Sequence, residues 1–141
     1  MLTFPTPSLL STSKAVASNV YNINLLDFHG LTPKMMVKEG AEVRAGEPIF
    51  YNKNYEAMKF VAPVSGELVE IQRGARRKIL NLKILADKTQ KSMEHAPVDP
   101  GKATADDIRA FLLESGCWPF IRQRPYDVIA HPEDVPKAIF V

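Results

Sequence analysis

A repeat of apolar residues hinged on glycine governs the middle of this chain. Val37, Val43 and Ile49 stand six residues apart, and Gly40 and Gly46 each fall three residues after the first two of them. A helix accommodates this pattern poorly, because two glycines at about 1 kcal/mol each and Pro48 at about 3 kcal/mol count against it. Two short extended segments satisfy the same spacing, each turned by a glycine that takes a positive φ without a Cβ penalty. The run from Phe60 to Ile71, Phe-Val-Ala-Pro-Val-Ser-Gly-Glu-Leu-Val-Glu-Ile, then reads as strand, turn and strand, with Pro63 to Gly66 as the turn. Gly40, Gly46, Gly66 and Gly74 are accordingly expected as structural turn glycines.

Alternation extends the β reading in both directions. Tyr21, Ile23 and Leu25 alternate with Asn22 and Asn24, and Leu80, Leu82 and Ile84 alternate with Asn81 and Lys83, the period of a half-buried strand. This predicts a mainly β domain over residues 19–87, after a loose tail over 1–18 and before a polar linker over 88–103. Thr104 to Gly116 predicts a helix, with Thr104 as cap, Asp106 and Asp107 at the positive end of the dipole and Gly116 as the stop. Its face Ile108, Phe111, Leu112 and Ser115 should dock on a second unit. Cys117 to Pro136 holds four prolines and reads as an ordered loop. Pro136 to Val141 looks like the opening strand of an α/β domain, which predicts that residues 104–141 begin a unit continuing beyond the chain.

Composition narrows the function. A net charge of +2 and 24% charged residues lack the concentrated basic face of a nucleic-acid binder, so Arg73, Arg76, Arg77 and Lys78 read as a solvated turn. The single cysteine, Cys117, excludes an intrachain disulfide; beside Trp118 it reads as a buried thiol. No apolar run reaches the roughly 20 residues of a membrane span, so membrane association is expected through partners. His29, His95 and His131 are scattered, with no carboxylate or cysteine at metal-ligand spacing, and no serine has a nucleophile-elbow context. No catalytic, metal or cofactor-binding residue is therefore expected.

Glu56-Ala57-Met58-Lys59 invites a carrier reading. The paired glycine blocks resemble the biotinyl/lipoyl-carrier fold, a barrel-sandwich hybrid of two similar halves. In that family the modified lysine sits on a hairpin tip, well separated from both the second glycine and the Ala-Pro. Here Lys59 comes thirteen residues after Gly46 and only three before Ala62. That register places it inside the strand entering the Ala-Pro turn. A carrier module of a carboxylase modified at Lys59 stands as an alternative that this spacing disfavours.

Seven blocks in order carry a more specific resemblance: His29-Gly-Leu-Thr-Pro-Lys-Met-Met-Val-Lys-Glu-Gly, Gly46-Glu-Pro-Ile-Phe, Phe60-Val-Ala-Pro-Val-Ser-Gly-Glu, Arg73-Gly-Ala-Arg-Arg, Leu113-Glu-Ser-Gly-Cys-Trp, Arg122-Gln-Arg-Pro-Tyr and Pro136-Lys-Ala-Ile-Phe-Val. Over roughly 27–141 they resemble the N-terminal part of the A-type subunits of the sodium-translocating NADH:quinone reductases. Members begin with a Lys-Gly-Leu-Asp segment that Met1 to Ser18 does not match. The resemblance implies a peripheral subunit on the cytoplasmic side of the bacterial inner membrane. It would belong to a respiratory complex that oxidises NADH, reduces quinone and exports sodium ions. NADH, FAD, FMN, riboflavin and the iron-sulfur cluster are then expected on other subunits.

Relatives by fold, such as the C-type subunit of the Rnf complex, follow the helix with a glycine-rich loop that wraps FMN. Here Cys117-Trp-Pro-Phe-Ile-Arg-Gln-Arg-Pro stands in its place, and bulky side chains with Pro119 would fill the space that phosphate needs. An FMN-binding electron-transfer subunit is a further, disfavoured alternative. Phe28, His29, Met35, Trp118, Phe120, Arg122 and Arg124 are the candidate contacts for quinone or a partner, set against a packing role for Phe28, Met35, Trp118 and Phe120.

Overall fold

The computed structural model describes residues 16–140. Residues 1–15 of the expected tail, and Val141, lie outside the described residues. In chain order the strands of the β unit are β1 (Val20–Asn24), β2 (Pro33–Met35), β3 (Glu42–Val43), β4 (Pro48–Asn52), β5 (Tyr55–Val61), β6 (Gly66–Arg73) and β7 (Ile79–Ala86). They form two antiparallel sheets, β1-β7-β6-β3 and β2-β4-β5. Ile49, Phe50, Leu68, Leu82 and Ile84 lie between them with no solvent exposure; Leu82 and Ile84 are the inward residues that the alternation predicts, and the adjacent pair Ile49 and Phe50 is buried beyond it.

The glycine-hinged blocks stitch the sheets together. Gly40 and Gly46 take φ of 81° and 85°, and the amide of each donates across the barrel. Gly40 N–H reaches the Leu68 carbonyl at 2.8 Å, and Gly46 N–H reaches the Ala62 carbonyl at 2.8 Å. The six-residue repeat therefore marks two equivalent crossings, one onto β6 and one onto the Ala-Pro turn. The segment from Phe60 to Ile71 is strand, turn and strand as expected, but β5 and β6 pair with other strands and belong to different sheets. Gly74 has φ below zero, so a positive φ is not its reason for being glycine. A Cβ there would meet Leu80 Cδ1 at 2.9 Å.

The polar stretch after Asp87 begins as part of the barrel. Fully buried Ser65 donates its amide to Gln90 Oε1 at 2.8 Å, and its hydroxyl accepts from the Lys91 amide at 2.9 Å. Ala45 exchanges backbone bonds with Lys91 and Met93. Residues 90–93 contribute amides and carbonyls rather than apolar side chains, so composition alone reads them as linker.

Helix α1 (Ala105–Glu114) starts with a reciprocal cap: Asp107 N–H donates to Thr104 Oγ1 at 3.2 Å and Thr104 N–H donates to Asp107 Oδ2 at 2.9 Å. The Thr104 hydroxyl, which donates to Asp107 Oδ2 at 2.7 Å, and then the Thr104 amide hold the Asp107 carboxyl below its ordinary range. The helix lies against β5, with Leu113 buried and Ile108, Phe111, Leu112 and Ser115 half-buried. Gly116 closes it at φ 73°, and a Cβ there would stand 2.6 Å from Val61 Cγ1 in β5. Gly116→Ala is expected to lower stability by about 2 kcal/mol, combining backbone strain with overpacking. Adding Val61→Ala should recover part of the loss in a urea melt, and no recovery would show that the contact is not the cause.

After α1 come a 3-10 turn over Trp118–Phe120 and a two-strand ladder, β8 (Arg122–Gln123) with β9 (Val128–Ile129). Cys117 is exposed, contrary to the buried thiol expected from its neighbour. The chain turns at Gly116, leaving Cys117 on the outer side while Pro119 goes inside. Pro136 to Phe140 shows no strand geometry, and Ile139 and Phe140 are 78% and 91% exposed. No neighbouring strand among the described residues offers their backbone a partner.

Candidate functional site

The loop after β1 and the segment after α1 meet along a seam, and Phe28 is its centre. Its ring stands edge-on to Phe60 at 5.1 Å and to Phe120 at 6.4 Å. The Arg122 guanidinium lies over the same ring at 5.0 Å, a cation–π geometry. Arg122 Nη2 donates to the Asp27 carbonyl at 3.0 Å and Nη1 to the Asp127 carbonyl at 3.3 Å. One planar donor fork thus ties the barrel to the β8–β9 ladder, a task suited to arginine's geometry. His29 adds a parallel bridge to Val128.

Two concavities flank the seam. One, of about 210 Å³, is lined by His29, Asn52, Tyr55, Met58, Ile129 and His131, among others. Tyr55 and His131 meet edge-to-face at 5.2 Å on its wall. The other, of about 330 Å³, is mostly apolar, with Leu25, Leu26, Phe28, Leu31 and Ile79 on its walls and Lys78 at its border.

Of the candidate contacts, the seam brings together Phe28, His29, Phe120 and Arg122. Phe120 is 72% exposed, so it is a surface residue rather than core. Trp118 is half-buried, and its indole N–H donates to the Ala130 carbonyl at 2.8 Å, which pins the ladder behind the seam. Met35 packs at the edge of the core and lines neither concavity. Arg124 points outward and pairs with Asp127 at 3.4 Å, an exposed pair worth little. Tyr55, Asn52 and His131 are not among the sequence candidates. They come together only because the β4–β5 hairpin folds back against the far end of the chain, and local spacing carries no sign of that.

The carrier tetrapeptide lies in the same hairpin. Lys59 sits within β5 opposite Tyr51, Met58 is buried in the core, and the tip is formed by Lys53 and Asn54. Lys53 N–H donates to the Thr32 carbonyl at 2.8 Å, which fastens the tip to the loop before β2. Among the described residues, no three His, Cys, Asp or Glu side chains gather closely enough to hold a metal ion. Among them, too, no helix is long and apolar enough to cross a membrane.

Comparison with known proteins adds two domain matches. Residues 5–87 match the NqrA N-terminal barrel-sandwich hybrid domain, and residues 103–141 match the NqrA second alpha/beta domain. The first match begins well before residue 27, so likeness to the family extends into the N-terminal stretch that lacks the Lys-Gly-Leu-Asp opening. The chain is 38% identical over 130 residues to the A-type subunit of the Na(+)-translocating NADH-quinone reductase of Tolumonas auensis, covering 89% of this chain and 29% of that protein. It is 34% identical over 117 residues to the subunit of the same name from a Marinomonas species, covering 82% and 26%. The corresponding Serratia proteamaculans subunit is 34% identical over 119 residues. The chain thus spans under a third of the length of these relatives.

Proposed function

This chain belongs to the NqrA family, and on that premise we propose that it is the N-terminal part of a peripheral subunit of a sodium-pumping respiratory complex that oxidises NADH and reduces quinone. Its own role is structural and on the quinone side, at the cytoplasmic face of the membrane, with other subunits of the complex as partners. The redox groups, FAD, FMN, riboflavin and iron-sulfur, reside on those partners. The observation that carries this reading is the succession of two domains of one family along a single chain, at 5–87 and 103–141.

The geometry supports a structural role in two places. Lys59 is a ladder residue of β5, so a ligase could reach it only by opening the hairpin. After α1, where the fold's flavin binders place bare amides, Trp118–Phe120 forms a tight turn with Pro119 buried inside it. The cavity beside His29 and His131, at about 210 Å³, is below the roughly 300–1,000 Å³ of small-molecule sites. The apolar concavity beside Phe28, at about 330 Å³, reaches the lower end of that range. Quinone contact from this part of the subunit is assigned next to it, to Phe120 and Arg122, with neighbouring subunits completing the pocket.

Phe120→Ala in the full-length subunit tests the quinone-side role. The assembled complex should purify intact, with KM for quinone raised severalfold and NADH oxidation by an artificial acceptor unchanged. Wild-type quinone kinetics in an intact complex would remove Phe120 from the quinone side. Intact mass and a visible spectrum of the purified chain test the cofactor assignment. A stoichiometric flavin absorbance, or a biotin-sized increment on Lys59, would overturn it.

A further inference from the structure

The turn that joins β6 to β7 carries Arg73, Arg76, Arg77 and Lys78, and all four are exposed. The ion pairs among the described residues join Arg44 to Glu47, Lys83 to Glu70, Lys102 to Asp99, Arg109 to Asp106 and Arg124 to Asp127, and none of them reaches this turn. Arg73 Nη1 donates to the Arg77 carbonyl at 3.4 Å, which orders the loop without neutralising it. Arg76 and Arg77 take φ of 55° and 60°, a region uncommon for residues other than glycine and asparagine. Glycine or asparagine would make such a turn with less strain, so what two arginines bring to it is charge.

The turn borders the apolar groove. Lys78 and Ile79 form one side of the 330 Å³ concavity, and Leu25, Leu26, Phe28 and Leu31 form others. Leu26 stands 51% exposed beside it, and beyond Phe28 come Arg122 and the exposed ring of Phe120. Across residues 25–31 and 73–79 there are four lysines and arginines and one acidic residue, Asp27, whose carboxylate accepts from Asn24 Nδ2. The whole chain carries a net charge of only +2, so this positive field is local.

We propose that this strip, from Arg76 and Lys78 across Leu26 to Phe120, is a docking surface for an anionic lipid bilayer. Lipid phosphates would sit against the unpaired guanidinium and ammonium groups, while Leu26 and Phe120 enter the boundary of the acyl region. Protruding apolar side chains beside basic ones suit a bilayer, which accepts both without a shaped pocket. An acidic protein would need a matching cavity for each of them. The assignment concerns this chain's own surface and shares only Phe120 with the quinone-side reading; lipid binding through Arg76, Arg77, Lys78 and Leu26 tests it without reference to quinone kinetics.

Co-sedimentation of the 141-residue chain with vesicles tests it. Vesicles with about a third phosphatidylglycerol should bind the chain, phosphatidylcholine alone should not, and raising salt from about 0.05 to 0.3 M should release it. Arg76→Asn with Arg77→Asn keeps residues tolerant of the left-handed backbone and should weaken binding roughly tenfold or more. Lys78→Gln, where φ is ordinary, should weaken it severalfold even if the double variant proves unstable. Leu26→Ser should weaken it as well, through lost insertion. Lys102→Gln removes one charge, as Lys78→Gln does, but away from the strip, and should leave binding unchanged. Equal binding to both vesicle types, wild-type binding by the arginine double variant, or loss of binding with Lys102→Gln would each overturn the proposal. So would capture by polyglutamate without vesicle binding, which would assign the strip to an acidic protein.

Discussion

Gly66→Ala should come close to abolishing the fold. Gly66 opens β6 at the point where the chain enters the second sheet from the Ala-Pro turn. A Cβ built there would lie 1.9 Å from the Leu85 carbonyl oxygen and 2.9 Å from the Ala86 α-carbon. Both neighbours are backbone atoms of β7, the central strand between β1 and β6. A side chain can rotate away from a new methyl group, whereas a ladder strand must move with everything bonded to it. Gly66 is also paired with Val43 in β3, so displacing it disturbs the junction of three strands. The expected cost is on the order of 4 kcal/mol, above the roughly 1–3 kcal/mol typical of overpacking because the clash is with backbone. That is comparable to the whole stability of a marginal domain. Gly40→Ala is the internal comparison: its φ is positive, but nothing lies within 4 Å of the added Cβ, so about 1 kcal/mol is expected. Urea midpoints should separate the two variants clearly. A Gly66→Ala protein melting like the wild type would mean that β6 and β7 can part at this point without cost.

The contrast between those two glycines shows what sequence carries and what it does not. The six-residue spacing of Gly40 and Gly46 is a local signal, because a reversal of direction is a property of a few consecutive dihedrals. Alternation at Tyr21–Leu25 and Leu80–Ile84 is equally local, and both segments form the expected strands. Gly66 looks the same in sequence, yet its constraint comes from Leu85 and is visible only once β6 and β7 are paired. The same division runs through the site. His29 and Arg122 stand out in sequence because their blocks resemble one family, Phe28 and Phe120 because they are apolar residues beside the connector and in the proline-rich loop, and all four converge on the seam. Trp118 stands out with them but donates its indole proton to Ala130, a partner twelve residues on that no local pattern marks. Cys117 defeats the sequence reading because burial is inferred there from a neighbour, whereas the turn at Gly116 decides which of two adjacent residues faces inward. Tyr55 and His131 meet across most of the chain length, so their contact belongs to tertiary structure alone.

Phe50→Ala should cost about 4 kcal/mol, and its effect should travel to the seam. Phe50 has no solvent exposure and stacks on Phe60 with centroids 4.5 Å apart and planes 16° apart. Truncating a buried phenylalanine typically costs about 3–5 kcal/mol, through the apolar surface lost and the cavity left behind. What distinguishes this site is the chain of rings it supports. Phe60 is held between Phe50 and the edge of Phe28, and Phe28 in turn meets Phe120 and Arg122. With the Phe50 ring gone, Phe60 can tilt into the vacancy and withdraw the surface that positions Phe28. The one tryptophan, Trp118, is half-buried behind this seam and reports on it. Its emission should shift to the red in Phe50→Ala at denaturant concentrations where circular dichroism still shows a folded barrel. Phe120→Ala removes the outer ring of the same row but fills no core space, so its stability should change by no more than about 0.5 kcal/mol. If Phe50→Ala lowered stability while leaving Trp118 emission native until global unfolding, the rings would be packing independently. A double-mutant cycle pairing Phe50→Ala with Phe60→Ala supplies the remaining number. Coupling of about 1 kcal/mol is expected for a stacked pair beyond its area burial, and coupling near zero would leave the seam resting on Arg122 and its two carbonyl partners alone.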